Sequence, residues 1–135
     1  MSETNELLTP SIEDYLEAIY RLSNQGMGGV RSIDVASMLQ VAKPSVNRAL
    51  KNLADSNMIL QEPYALIYLT EDGAHKAEEI FTRHRTIQQF LHQILKVEEP
   101  KAEDEACRIE HAMSNQTVEL MRKFMLDYLA QGEEK

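Results

Sequence analysis

The chain has 135 residues, 43% of them apolar and 27% charged, enough for one compact domain or two small ones. No apolar run approaches the roughly 20 residues of a membrane span, and the polar, acidic stretch at residues 1–9 does not read as a secretory signal. The single cysteine, Cys107, excludes an internal disulfide and suits a reducing, cytoplasmic setting, and the net charge of −8 argues against a chain that is basic throughout.

Ser11, preceded by Pro10, is placed to cap a first helix. Its apolar positions Ile12, Tyr15, Leu16, Ile19 and Leu22 recur at helical spacing until Gly26 stops it. After a loop at 26–29, Ser32 caps a short helix through Leu39. A turn follows at 40–43, and Pro44 opens a third helix running to about Asp55. Residues 58–62 and 66–69 have strand character and are joined at Pro63-Tyr64-Ala65. Thr70 caps a long helix reaching about Lys96, residues 97–100 break it, and further helices are predicted over 101–113 and 116–129, with a frayed tail at 130–135.

Helix, helix, turn, helix and hairpin in that order make a winged helix-turn-helix, with residues 1–73 forming the first domain and 74–135 an all-helical second one. Within the first, Val35, Leu39, Val41, Val46, Leu50 and Leu53 supply a shared core, and Ala36 is small where two helices cross. Lys43, Ser45, Asn47, Arg48 and Lys51 are left for DNA. From Arg31 to Leu53 four basic residues face Asp34 alone, a local balance of +3 within an acidic chain. A solvated helix face would have the same pattern. Gln40 stands at a turn position where glycine is usual.

The fifth helix carries the chemistry. Beside its apolar stripe run Glu103, Cys107, Glu110 and His111, whose spacings of four, three and one set them along one face. Thiolate, carboxylate and imidazole are all metal ligands. His84 falls on the apolar line of the fourth helix, and Asp14 and Glu17 flank that of the first. Each has a plainer reading: a half-buried cysteine beside solvated acids, a core histidine, a pair of helix-dipole partners. Three helices offering such residues together favour metal binding. In the sixth helix, apolar residues cover much of the circumference. This points to a homodimer through Val118, Met121, Phe124 and Met125.

Three separated motifs carry a resemblance. Thr9-Pro-Ser-Ile-Glu-Asp-Tyr-Leu-Glu-Ala-Ile-Tyr20 resembles the opening of the manganese transport regulators. Asp104-Glu-Ala-Cys-Arg-Ile-Glu-His-Ala-Met-Ser114 resembles the metal-binding helix of the diphtheria toxin repressor group, and Leu69-Thr-Glu-Asp-Gly73 fits the same family's wing. The resemblance implies a mainly α fold, in which the winged helix-turn-helix domain is followed by an all-helical metal-binding and dimerisation domain, in a short form without the SH3-like domain. It implies a metal-dependent repressor of metal-uptake genes, not an enzyme. As a homodimer, it would bind a palindromic double-stranded DNA operator when loaded with Mn(II) or Fe(II), with Co(II), Ni(II) or Zn(II) as substitutes.

Asp14, Glu17, His84, Glu110 and His111 match metal-holding positions of the manganese regulators. Cys107 matches the iron group instead, so the implied site is a hybrid. Of the iron group's ancillary ligands His84 remains, while Gln88 and Glu103 replace Glu and His; Glu103 can still serve. A winged-helix regulator sensing a small molecule, and a carboxylate-bridged metalloenzyme, are the alternatives. The second usually needs two Glu-x-x-His pairs, and the sequence has none.

Overall fold

The computed structural model describes residues 11–61 and 65–133. Residues 1–10, Glu62 at the end of the expected first strand, the Pro63-Tyr64 link and residues 134–135 lie outside them. The fold is mainly α with a two-stranded wing.

Helix α1 is Ile12–Leu22. Ser11 Oγ accepts from the Asp14 N–H (3.2 Å) and the Asp14 carboxylate accepts from the Ser11 N–H (2.8 Å), so two otherwise unpaired donors satisfy each other's side chains. The helix ends four residues before Gly26, because Ser23 Oγ donates to the Tyr20 carbonyl and accepts from the Gly26 N–H. Asn24, Gln25 and Gly26 then turn the chain with positive φ.

Helix α2, Ser32–Leu39, begins at Ser32 itself, with Arg31 in the capping position. The expected Ser32 cap is absent, and Arg31 instead pairs with Asp34 across the first turn (3.0 Å). Gln40 closes the helix in the left-handed region, φ 55°, which explains why glycine is the usual residue there. Helix α3, Lys43–Asp55, starts one residue before Pro44, which sits in the first turn where no intrahelical N–H is required. Val35, Val46, Leu50 and Leu53 are buried, as the helix-turn-helix pattern requires, whereas Leu39 and Val41 are half-buried.

Strands β1 (Ile59–Gln61) and β2 (Ile67–Leu69) pair antiparallel, Leu60 opposite Tyr68. Val30, assigned to no element from sequence, bridges to Ile67 through two backbone hydrogen bonds of 2.9 and 2.8 Å. Thr70 caps α4, Glu71–Gln89, by accepting from the Gly73 N–H, and also donates to the Asn57 carbonyl (2.7 Å). Gly73 is where α4 meets the approach to the wing: a Cβ there would lie 1.9 Å from the Met58 carbonyl oxygen.

The α geometry of α4 stops at Gln89. Phe90–Ile94 form a π-helical turn, and Lys96 at φ 63° ends the segment, in place of the expected α-helix to Lys96. Helix α5, Glu99–Ile109, takes Pro100 into its first turn and stops before Glu110, so it is displaced towards the N-terminus from the expected 101–113. Helix α6, Asn115–Glu133, starts behind Ser114, whose Oγ accepts from the Thr117 N–H. It runs past Leu129, so residues 130–133 are helical and not frayed.

Packing divides the chain into two units, Met1–Ile80 and Phe81–Lys135, with the division inside α4. The first has the helix-turn-helix core with Leu16, Ile19, Ile59 and Ile67. In the second, buried Ile87, Ala106 and Val118 are surrounded by Leu91, Ile109, Met113 and Met121.

Candidate metal centre

In the second unit, α4 carries His84 one turn before the core residue Ile87, and α5 buries Ala102 and Ala106. That register sets Glu103, Cys107 and Glu110 on an adjoining line, at intervals of four and three. His84 and Glu110 are fully buried, at 2% and 0% exposure. His84 Nδ1 lies 2.7 Å from Glu110 Oε1 and 3.8 Å from Cys107 Sγ. One donor atom each from His84, Cys107 and Glu110 fall within 4.8 Å of one another.

Glu110 Oε2 is buried and has no hydrogen-bond partner among the described residues. An unsatisfied buried carboxylate oxygen costs on the order of 1–3 kcal/mol or more. Such a cost is offset when the oxygen binds a cation, and imidazole, thiolate and carboxylate together suit a divalent first-row metal. The residues present therefore fit the group that the sequence implies.

The other sequence-derived ligands are placed differently. Glu103, half-exposed, sits on the far side of the imidazole, its Oε1 2.9 Å from His84 Nε2 and its Oε2 3.8 Å from Cys107 Sγ. His111 is exposed and lies beyond the end of α5, so the expected continuous line of four ligands is broken after Glu110. In the first unit, Asp14 is engaged in the α1 capping box, and buried Glu17 holds Arg21 at 2.7 Å. The Arg21 partner went unread from sequence, although its i,i+4 spacing to Glu17 was the available signal. Gln88, which stands where the iron group has a glutamate ligand, donates to Glu99 (3.4 Å).

On α3, Lys43, Asn47, Arg48 and Lys51 are exposed and Ser45 is half-buried, with Arg48 Nη2 3.5 Å from Ser45 Oγ. Burial pushes the Tyr15 phenol on α1 above its ordinary pKa, an effect that the positive charge of Arg48 partly offsets.

Comparison with known proteins agrees with this division of labour. Residues 7–65 match the N-terminal DNA-binding domain of the iron-dependent repressors, and residues 70–129 match their metal-binding and dimerisation domain. The chain belongs to the iron-dependent repressor family. It is thus one of the metal-dependent transcriptional regulators, with a divalent metal as cofactor.

An uncharacterized HTH-type transcriptional regulator of Methanocaldococcus jannaschii is 36% identical over 118 residues, covering 87% of this chain and 94% of that protein. The transcriptional regulator MntR of Escherichia coli is 34% identical over 113 residues, 84% of this chain and 72% of that one. The solved structure of the manganese regulator SloR superposes with a TM-score of 0.76 at 31% identity, covering 87% of this chain. The chain spans about half of that structure's length, 54%.

In this member of the family, α6 turns two of the four expected interface residues inward. Val118 and Met125 are buried in the protomer's own core and Met121 is half-buried, leaving Phe124 exposed. The open apolar line consists of Leu120, Phe124 and Tyr128, four residues apart, with exposed Leu126 on another side of the helix, and Phe124 packs between Phe90 and Tyr128.

Proposed function

We propose that the protein represses metal-uptake genes, binding a palindromic operator as a homodimer when loaded with Mn(II) or Fe(II). The observation that carries this is the buried Glu110 carboxylate beside His84 and Cys107, with one oxygen lacking a partner among the described residues. His84, Cys107 and Glu110 are the core ligands. Asp14, Glu17 and His111 are the further ligands that the family resemblance implies, and Glu103 adjoins the set through His84.

When bound, a divalent ion supplies the positive charge that neutralises thiolate and carboxylates. The protein's own part is to give up protons and existing contacts. A hydrogen between His84 Nδ1 and Glu110 Oε1 would leave, as would the Cys107 thiol proton. Asp14 would exchange the Ser11 N–H, and Glu17 the Arg21 guanidinium. These exchanges make the loaded and empty proteins favour different arrangements. Where the loaded arrangement is the DNA-binding one, metal and operator raise each other's affinity by the same factor.

Lys43, Arg48 and Lys51 would meet phosphates, and Asn47 and Arg48 base edges, with Ser45 near the positive end of α3. Phe124 and its exposed neighbours would form the dimer contact, and the setting would be cytoplasmic.

The test is an anaerobic titration of chelator-stripped protein with Mn(II) and Fe(II), alongside Glu110→Gln. We expect saturable binding by the wild type and a loss of at least tenfold in affinity in Glu110→Gln, while metal-free Glu110→Gln unfolds no more readily than the wild type. Equal affinity in the two proteins would refute the assignment.

A further inference from the structure

We propose that Glu103 is a positioning residue that selects which nitrogen of His84 faces the ion, a step that rests on the metal-centre reading above. The two ring nitrogens of this buried histidine meet different carboxylates. Nδ1 faces Glu110 Oε1 at 2.7 Å and Cys107 Sγ at 3.8 Å, whereas Nε2 faces Glu103 Oε1 at 2.9 Å. A neutral imidazole has one N–H and one lone pair, and an ionised carboxylate can only accept. Once the hydrogen between Nδ1 and Glu110 has left, a hydrogen held on Nε2 by Glu103 leaves the lone pair on Nδ1, the nitrogen that lies with Cys107 and Glu110.

The opposite tautomer would point its lone pair away from both and set it against the Glu103 carboxylate. Glu103 is thus the outer carboxylate of a carboxylate–histidine–metal chain, which orients the ring and strengthens it as a donor. It is built for this by register: one turn before Cys107 on α5, it reaches His84 with one oxygen and lies 3.8 Å from the thiol with the other. Its exposed position, at 47% of the side chain, leaves it dispensable for packing, so its removal reads on the metal and not on the core.

The experiment uses the full chain with Zn(II), which is diamagnetic, in the wild type, Glu103→Gln and Glu103→Ala. Two-bond proton–nitrogen correlation spectra report the His84 tautomer and the metal-bound nitrogen, and chelator competition reports affinity and the number of ions bound. The expected wild-type spectrum has Zn(II) on Nδ1 and a hydrogen-bonded Nε2–H. Glu103→Ala is expected to lose about tenfold in Zn(II) affinity with no change in the number of ions. Glu103→Gln, whose amide oxygen still accepts from Nε2–H, keeps the tautomer and recovers part of the loss.

Zn(II) on Nε2, unaltered affinity in Glu103→Ala, or the loss of one bound ion on removing Glu103 would each overturn the proposal, the last by making Glu103 a ligand. Failure of the wild type to bind Zn(II) at all would instead overturn the metal-centre reading, and the proposal with it.

Discussion

In the proposed centre, Cys107 would decide the chemical character. Manganese favours oxygen donors, whereas a thiolate favours later and softer ions such as Fe(II), Co(II) and Zn(II). Its Sγ lies 3.8 Å from His84 Nδ1, so in that centre a change of donor at this position would act on the ion directly. Cys107→Glu is therefore expected to shift the Mn(II)-to-Co(II) affinity ratio towards manganese, read by competition titration of both proteins. An unchanged ratio would show that Cys107 does not bind the ion. At this scale the sequence was informative where spacing alone fixes neighbours. Cys107 and Glu110 follow from α5, and His84 from the apolar line of α4. The place of His111 was not legible, because it depends on where α5 stops, and no glycine or proline marks that point. Nor did spacing reveal that Glu103 would take the outer nitrogen of His84.

The order of elements was readable from periodicity, but their ends were set by side-chain bonds to backbone that periodicity does not encode. Ser23 ends α1 ahead of Gly26, and Arg31 stands where Ser32 was expected to cap. Pro44 and Pro100 each sit within a first turn, which shifts the helix start to the preceding residue. Val30 joins the wing because Gly29 lets Leu66 and Tyr68 pass close: a Cβ on Gly29 would lie 2.7–2.9 Å from their side chains. The turn of the helix-turn-helix holds a removable strain. Gln40 is exposed at φ 55°, where an L side chain costs roughly 1–2 kcal/mol, partly balanced by the lower chain entropy of a non-glycine residue in the unfolded state. Gln40→Gly is expected to raise stability by about 0.5–1 kcal/mol in urea unfolding, and a loss of stability would contradict this account of the turn.

For the molecule as a whole, family membership and fold agree on a DNA-binding part and a metal-binding, dimerising part. The apolar girth of α6 was legible, but which residues cover its own core was not. Helical spacing shows that apolar residues surround the helix without saying which side the rest of the chain takes. The structure gives Val118 and Met125 to that core and leaves Phe124 exposed in line with Leu120 and Tyr128. Phe124→Glu is accordingly expected to shift the protein towards monomer in sedimentation equilibrium at micromolar concentration, while its far-ultraviolet circular dichroism stays that of the wild type. Unchanged association would exclude this face as the dimer contact.

The central claim is that metal gates DNA binding, and the most direct measurement is fluorescence anisotropy on a palindromic operator selected from random DNA by the Mn(II)-loaded protein. Chelator-stripped protein is expected to bind that operator at least tenfold more weakly than protein in saturating Mn(II) or Fe(II), a coupling of about 1.4 kcal/mol. Equal affinity with and without metal, in protein shown to bind the ion, would contradict it.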